Sequence, residues 1–537
     1  MRPILQTLRS PQIAFAAILL FGLLAMTARN ATDPDLWWHL RTGQWIVETG
    51  HVPHSDPFSF ARAGHAWVSH EWLSEVVFYE LWKHGGAAAL IVFSALVTTA
   101  GFMLLYSRCP PYGGARHWAA AATVLGALAS APCWGVRPQM FTFTLASLLL
   151  WLLERGTERG TEKDRPRLLL WIPPLFLLWL NLHAGFALGP ALLLAYGVGL
   201  MMETASGNTP WQEARPVLVR VLLLLVVCLA LVPLNPSGAQ LYRYPFDTLR
   251  SSGMRSFISE WHSPNFHDWL YRPFLLVWLL LLTALASARS RPKGRVIAPL
   301  LLTSFAALDA VRHIPIFVLV AIPVIAAALP AAGKKLEPRG AQGSTGETLP
   351  RAHLSRFRPS FNVAVVILIA VFALVKWVTL ARNQDAREAE HFPQKAVEFL
   401  RAGGQSGRVF AYYDWGGYAI WKLYPQYRVF VDGRADLYGN DLHGDDLLRQ
   451  FKIAVELRTG WRDVLDRWQV ETVLVPPSCA LAQALLLEPN WHVAFSDSKA
   501  IILVRTPPAA APAAPDPASG GDESEKMFPR AMPNLRN

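Results

Sequence analysis

The sequence predicts an α-helical polytopic membrane protein of about 11 transmembrane helices, followed by a C-terminal soluble α/β domain. Of 537 residues, 52% are hydrophobic and only 17% are charged. The mean hydropathy is +0.25. Ordinary soluble domains carry about 25% charged residues. Long apolar runs alternate with short polar segments, as expected for helices that cross a hydrocarbon core of about 30 Å.

Eleven apolar runs are candidate spans, because a transmembrane helix needs about 17 to 25 mostly apolar residues. They lie near 11–28, 86–107, 117–133, 138–153, 168–182, 184–202, 216–234, 272–288, 295–311, 313–330 and 361–380. The first run also has features of a cleaved signal peptide, since Arg2 and Arg9 precede it. Its apolar core is long for a signal sequence, so we expect a retained membrane anchor.

Basic residues cluster in alternate loops, and such loops face the cytoplasm in membrane proteins. The basic groups lie at 2–9, 108–116, 155–167, 215, 289–295 and 334–358. The N-terminus is therefore expected in the cytoplasm, and the region after Leu380 outside, in the periplasm of a bacterial inner-membrane protein. The net charge of +11 is explained by this loop pattern. We therefore expect the lipid bilayer, and not nucleic acid, as a partner.

The expected organisation has five parts. A transmembrane domain covers 1–330 and includes a first outer loop at 29–85, and a cytoplasmic linker rich in Gly, Pro and basic residues follows at 331–360. The last membrane helix lies at 361–380. Alternating strand-like and helical segments predict an outer α/β domain at 381–506. A Pro/Ala-rich tail at 507–537 is expected to be disordered.

The first outer loop concentrates His and acidic residues among aromatic side chains. Amphipathic helices are expected at 35–47 and 68–82, joined by the Pro-rich turn HVPHSDPFSF, which holds Asp56. Asp35 and His39 are four residues apart on one helical face, so a carboxylate and an imidazole can point into one cavity. An interfacial loop with Trp anchors explains the Trp residues. It explains four residues less well: Asp33, Asp35, His70 and Glu71.

Further polar residues fall on the same predicted side of the membrane. Arg137 follows the third run, Arg312 and His313 follow the ninth, and Glu260 lies in the outer segment 235–272. A charged group beside a membrane helix is costly unless it is paired or faces a wet cavity. Either Arg alone could snorkel to the interface. Two of them beside an acidic loop favour an anionic ligand.

Three other polar motifs are interpreted more simply. Tyr242 and Tyr244 suit a membrane interface. DWGGY at 414–418 and VDGRADLYG at 431–439 are typical of turns at strand ends, and a surface that guides an acceptor is the alternative. His183 could cap the end of the fifth run.

The motif DPDLWWHL at 33–40, directly after the first membrane helix, followed by DPFS and HEWLSE, resembles the GT-C superfamily of membrane glycosyltransferases. That group includes protein O-mannosyltransferases, aminoarabinose transferases and oligosaccharyltransferases. The resemblance implies an acidic motif in the first outer loop, a polyprenyl-phosphate-linked sugar as donor and a soluble outer domain. The WWDYG motif of oligosaccharyltransferases is absent from the sequence, which argues against that activity.

Sugar transfer from a lipid phosphate requires a base for the acceptor and cations for the departing phosphate. Asp35 is the first candidate for the base and Asp33 the second. Arg137 and Arg312, with His313, are candidates for the phosphate. The remaining candidates for substrate binding are His39, Asp56, His70, Glu71 and Glu260. A Mg²⁺ or Mn²⁺ ion is an open alternative, held by Asp33, Asp35, His70 and Glu71.

Two other functions fit the composition. One is a transferase of the O-antigen-ligase type, which would place its basic residues in a large late loop. The other is a non-catalytic polysaccharide transporter or assembly protein, which would place ionisable groups near mid-membrane. The residue pattern favours a glycosyltransferase, and the acceptor stays open among a glycan, a lipid and a protein.

The orientation is directly testable. Reporter fusions after Leu380 should report an outside location, and fusions at Gly160 a cytoplasmic one, because the basic loops alternate as described. Alkaline phosphatase and green fluorescent protein fusions measure this. A cytoplasmic signal from a fusion after Leu380 would contradict the prediction that all candidate residues share one side.

Overall fold

The structure is a computed structural model that describes residues 11–110, 116–158, 165–288, 292–333, 359–403, 407–439 and 446–506. Most of the predicted linker at 331–360 and the predicted disordered tail at 507–537 lie outside the described residues.

The N-terminal part of the chain is a body of α-helices connected by turns and short 3₁₀ segments. The helices are α1 Pro11–Thr27, α2 Leu36–Thr49, α3 Trp72–Arg108, α4 Arg116–Ser130, α5 Gln139–Thr157, α6 Ile172–Leu182, α7 Leu188–Ala205, α8 Trp211–Leu231, α9 Tyr244–Arg250, α10 Ser252–Phe257, α11 Arg272–Ser287, α12 Gly294–Asp309, α13 Ile314–Gly333 and α14 Pro359–Arg382.

Each of the eleven predicted runs is helical, but the predicted number of spans is not confirmed. Among the described residues, six helices are long and apolar enough to cross a membrane. They are Trp72–Arg108, Ala184–Ala205, Trp211–Leu234, Trp269–Ser287, Val311–Ala328 and Phe361–Arg382. The other runs form shorter or more polar helices. For example, α12 has 16 residues, about 24 Å at 1.5 Å per residue.

The first outer loop contains the two predicted amphipathic helices. Gly50 ends α2 in the left-handed conformation (φ 72°) that glycine adopts without strain. The second helix begins at Trp72 rather than at 68. A kink at Gly86 (φ 58°) separates its amphipathic part from the apolar span that follows. The two helices pack closely, because a Cβ at Gly43 would lie 2.0 Å from the backbone oxygen of Glu75.

The C-terminal part is an α/β domain built on five strands. Its helices are α15 Gln384–His391, α16 Gln394–Ala402, α17 Tyr413–Leu423, α18 Ala435–Tyr438, α19 Leu447–Val455, α20 Trp461–Arg467 and α21 Ala480–Leu485, and its strands are β1 Gly407–Ala411, β2 Tyr427–Val429, β3 Thr472–Val475, β4 Trp491–Ser496 and β5 Ile501–Arg505. The sheet order is β2-β1-β3-β5-β4. β1 pairs in parallel with β2 and β3, and β5 is antiparallel to β3 and β4. These strands coincide with the strand-like sequence segments RVFAYY, YRVFVDG, ETVLVP, HVAFSD and AIILVR.

The first outer loop docks on this domain. The backbone N–H of Phe60 donates to the carbonyl of Val429 at 3.0 Å, so the loop extends the sheet beside β2. Trp37 packs edge-on against Phe392 and Tyr418. The loop and the domain therefore lie on the same side of the helical body, as their predicted orientation requires.

Candidate functional site

A cavity of about 560 Å³ lies where the first outer loop, the helical body and the C-terminal domain meet. It collects the charged and imidazole side chains of eight separate stretches of the chain: Asp35, His39, His70, Glu71, Arg137, His183, Glu260, Arg312, His313, Asp414 and Asp436. Every predicted site residue lines it except Asp33 and Asp56. The geometry therefore brings together residues up to four hundred positions apart.

Arg137 connects three acidic side chains at one wall of the cavity. It immediately precedes Pro138 and α5, so the start of that helix presents it to the first outer loop. Its Nε donates to Asp33 and its Nη1 donates to Glu260. Its Nη2 lies 3.7 Å from Oδ2 of Asp35. These carboxylates raise the pKa of Arg137 well above its usual value, although burial opposes the shift.

The Asp35 carboxylate is held in an unusual environment. Burial raises its pKa to about 7; Asp33 adds repulsion, and the Arg137 guanidinium opposes the shift. Trp38 Nε1 donates to Asp35 Oδ1 at 3.4 Å, and the Asp35 backbone N–H donates to Asp33 Oδ1 at 3.0 Å. A pKa near neutrality suits a general base, because both protonation states are accessible at the working pH.

Glu71 forms the centre of a second cluster. His70 Nε2 lies 2.8 Å from its carboxylate, and His39 and His183 each lie 3.6 Å away. Burial would raise the pKa of Glu71, but the imidazoles, led by His70, lower it to about 2. Burial would likewise lower the pKa of His70, but Glu71 raises it to about 9. The pair is therefore an ion pair at neutral pH.

Asp35 and His39 line the same cavity, but the expected pairing of the His39 imidazole with that carboxylate is not observed. Its two ring nitrogens lie 3.6 Å from Glu71 and 3.5 Å from Glu75. Asp35 precedes the first residue of α2 and lies toward Arg137, whereas His39, one turn later, faces the acidic start of α3.

Arg312 supplies a second cation to the cavity. It lies in the 3₁₀ turn between α12 and α13, and its guanidinium stacks 4.5 Å from the ring centroid of Trp261. Across the described parts of the chain, its guanidinium has no ion-pair or hydrogen-bond partner. In contrast with Arg137, it is therefore available to an anionic ligand. His313 Nδ1 lies 3.2 Å from the carbonyl oxygen of Ala306.

The two predicted residues outside the cavity have different surroundings. Asp33 is not among the residues that line the cavity. Its carboxylate accepts a hydrogen bond from Nε of Arg137. Asp56 is fully buried, and its carboxylate accepts from Arg434 Nη1 at 2.7 Å and from the backbone N–H of Phe58 at 3.0 Å. Its position favours a packing role between the loop and the C-terminal domain over the expected substrate-binding role.

Four cavity residues were missed or interpreted differently from the sequence: His183, Tyr244, Asp414 and Asp436. His183 does accept from the N–H of Gly185 as a cap, but it also faces Glu71. Tyr244 was expected at the membrane interface, whereas its Oη lies 3.3 Å from His70 Nε2. The Asp residues belong to the motifs interpreted as ordinary turns. The signal was their polar, turn-rich composition, but nothing in the sequence placed them near Asp35.

The four residues considered from the sequence as ligands of a divalent metal do not form one group. The four residues proposed to hold it are divided between two clusters: Asp33 and Asp35 face Arg137, and Glu71 pairs with His70. Within the described ranges, no group of three or more His, Cys, Asp or Glu side chains has the arrangement of a metal site.

Solved structures share this fold at low sequence identity. The Archaeoglobus fulgidus oligosaccharyltransferase tethered with an acceptor peptide containing the NVT sequon is 14% identical with a TM-score of 0.53, over 87% of this chain and 69% of that one. The archaeal oligosaccharyltransferase AglB from Archaeoglobus fulgidus, in complex with an inhibitory peptide and a dolichol-phosphate, is 12% identical with a TM-score of 0.52, over 86% and 69%.

ArnT from Cupriavidus metallidurans in the apo state is 15% identical over 91% of this chain and 97% of that one, with a TM-score of 0.46. No family model matches the sequence. No curated protein matches it. The likeness to the two oligosaccharyltransferase structures, at these identities, concerns the fold. The chain therefore shares the fold of these oligosaccharyltransferases, which belong to the group that the motif at 33–40 resembles.

Proposed function

We propose that the protein is a membrane glycosyltransferase that moves a sugar from a polyprenyl-phosphate donor to an acceptor on the outer side of a bacterial inner membrane. The proposal rests on one observation: a candidate base and a candidate phosphate-binding cation line the same cavity. Asp35, a carboxylate with a near-neutral pKa, and Arg312, a cation without an ion-pair partner among the described residues, line the same cavity.

The wall around Arg312 suits the donor. A departing lipid phosphate needs a positive charge, and a guanidinium can bind it through two parallel hydrogen bonds. Apolar residues of the helical body line the same cavity: Met140, Phe143, Leu188 and Ile316. An isoprenoid chain could approach along such a surface while its phosphate reaches Arg312. The fold supports the same donor class, since AglB was solved in complex with a dolichol-phosphate.

The wall around Asp35 suits the acceptor. Deprotonation of an incoming nucleophile by a positioned carboxylate contributes roughly 10² to 10⁴ in rate. Arg137 keeps Asp35 in place but is itself occupied by Asp33 and Glu260. We therefore assign Arg137 to organising the carboxylates and Arg312 to the phosphate, which refines the equal roles expected from the sequence.

The first prediction concerns the base. Asp35→Asn should nearly abolish sugar transfer, because the amide keeps the size and hydrogen bonding of the side chain but cannot accept a proton. Asp33→Asn should be less severe. Transfer from a radiolabelled polyprenyl-phosphate sugar by purified protein measures both.

Asp466→Asn is a matched control, because that carboxylate is 65% exposed and pairs with Arg505 in the C-terminal domain. It should transfer sugar like the wild type. Transfer at the wild-type rate by Asp35→Asn would reject the assignment of the base.

The second prediction concerns pH. The raised pKa means that the Asp35 carboxyl is protonated and inactive below about pH 7 and becomes an active base above it. The rate should therefore rise with pH and reach half of its maximum at about pH 7. An ordinary Asp, with a pKa of about 3.9, would place this midpoint near pH 4.

Asp33→Asn provides an internal check on the pH dependence. Removing the Asp33 charge removes repulsion and leaves Arg137 freer to stabilise the Asp35 carboxylate. The midpoint should therefore move to lower pH. A midpoint that stays unchanged in Asp33→Asn would show that Asp35 does not control the pH profile.

The third prediction separates the two arginines. Arg312→Ala should weaken donor use roughly ten- to hundredfold, the loss of a charge-assisted contact of roughly 1.5 to 3 kcal/mol, while the protein stays folded. Arg137→Ala should also lower the midpoint of thermal unfolding, because three carboxylates would lose their shared cation. Donor titrations and thermal unfolding in detergent measure these effects.

Arg462→Ala is the control, since Arg462 also stacks on a Trp ring, at 4.4 Å, but lies in the C-terminal domain away from the cavity. Arg312→Lys should retain part of the donor affinity, because it keeps the charge. If Arg312→Ala and Arg462→Ala use the donor equally well, Arg312 does not bind the donor phosphate, and the alternative that it snorkels to the membrane interface is favoured.

A further inference from the structure

A fully buried ionic cluster joins the first outer loop to the C-terminal domain. Arg434 Nη1 donates to Asp56 at 2.7 Å, and its Nε and Nη2 donate to the two oxygens of Asp432 at 2.8 and 2.7 Å. Tyr438 Oη completes the group by donating to Asp432 at 2.5 Å. The side chains of Arg434, Asp56 and Asp432 are each 0% exposed.

Such a cluster is costly to bury and is weak evidence of a contribution to stability alone. Apolar residues of similar volume often replace buried ion pairs without loss of stability. The aromatic rings around the guanidinium show that the site could be apolar, since Arg434 lies 4.6 Å from the centroid of Trp67 and 5.3 Å from that of Phe58. The planar, bidentate geometry does fix the backbone between its members.

Gly433 lies between Asp432 and Arg434 in the chain, and its backbone lies directly against Asp35. A Cβ at Gly433 would lie 1.9 Å from Asp35 Oδ1 and 2.9 Å from Trp38 Nε1. Any other residue would therefore displace the carboxylate or the indole. The Trp38 ring also contacts Trp67, with centroids 6.4 Å apart. Trp67 is the ring beside which Arg434 lies.

We propose that Arg434 is a positioning residue for Asp35: by binding Asp56 and Asp432, it holds Gly433 as a wall against the Asp35 carboxylate. Asp35 is then confined by Arg137 from the helical body, by Trp38 from its own helix and by the backbone of the C-terminal domain. The domain is, on this view, a component of the reacting centre and not an appendage. This inference rests on the proposed function for its catalytic consequence, but not for the mechanical coupling.

The full-length protein in lipid nanodiscs tests this coupling, with Gly433→Ala as the principal variant. The added methyl group should move Asp35 without removing any charge. We expect kcat to fall about a hundredfold, the cost of a misplacement of roughly 1 Å. KM for the donor should change little, since the atoms nearest the added methyl group belong to Asp35 and Trp38 and not to Arg312. The pH at half-maximal kcat should also shift, which a merely structural role would not cause.

A shift in this pH can be attributed to Asp35 because its charged and titratable neighbours stay unaltered in the variant. These neighbours are Asp33, His39, Arg137, Glu260 and Tyr413. Gly403→Ala is the matched control, since a Cβ there would find its nearest atoms at 3.5 and 3.6 Å, an ordinary contact distance. It should leave kcat and the pH profile at the wild-type values.

Arg434→Lys and Asp56→Asn test the clamp itself by hydrogen exchange. Lys keeps the charge but loses the bidentate fork. Both variants should speed amide exchange in residues 427–438 and also in residues 33–40, on the far side of the contact. Faster exchange confined to 427–438 would contradict the coupling.

The two proposals fail in different ways. If the wild type transfers no sugar from any polyprenyl-phosphate donor, the proposed function is rejected, and the exchange measurement alone decides the coupling. If the wild type transfers sugar but Gly433→Ala matches Gly403→Ala in kcat, pH profile and exchange at 33–40, the positioning role of Arg434 is rejected.

Discussion

The candidate site depends on a single guanidinium. Arg137 binds Asp33, which precedes α2, and Glu260, which lies between α10 and α11, and it lies beside Asp35. Three carboxylates this close would repel one another strongly at the edge of a membrane, where the local dielectric is low. The shared cation makes their proximity tolerable, and so it allows one loop, one helix end and a second loop to form a common wall.

The charged groups of the cavity form two clusters, and the pKa values of one carboxylate in each cluster, Asp35 and Glu71, are shifted in opposite directions. Near Arg137, the pKa of Asp35 is raised to about 7 by burial. Near the three imidazoles, the pKa of Glu71 is lowered to about 2 despite burial. Two carboxylates whose environments move their pKa values apart are typical of sites that divide catalytic and binding roles. Asp35 is thereby distinguished as the group that can exchange a proton near neutrality, while Glu71 remains charged and holds its imidazole partners.

Two kinds of contact join the C-terminal domain to the first outer loop. An apolar contact places Trp37 against Phe392 and Tyr418. A polar contact pairs Asp56 with Arg434 in a fully buried cluster. Apolar packing is tolerant of small shifts, whereas a bidentate ion pair has a defined direction. The combination explains how the C-terminal domain presents Gly433, Asp414 and Asp436 to a cavity that the helical body also lines.

The sequence by itself determined the membrane class, the helical runs, the five strands and most of the cavity. Hydropathy and residue periodicity are local properties, so the amphipathic start of α2 and the acidic loop were readable from neighbouring residues. The unusual density of His and acidic residues at 29–85 identified Asp35, His39, His70 and Glu71. The number of membrane-crossing helices was less readable, because a helical run and a span of sufficient length have the same local pattern.

Only the tertiary structure decided which charges meet. Asp56 pairs with Arg434, 378 positions away, and so leaves the cavity, whereas Asp414 and Asp436 enter it from motifs that resemble ordinary turns. The two arginines for which the sequence predicted the same role differ, because carboxylates bind Arg137 whereas no carboxylate in the described part of the chain pairs with Arg312. Pairing between distant side chains is a property of the folded chain, since charge interactions depend on separation in space and not on separation in sequence.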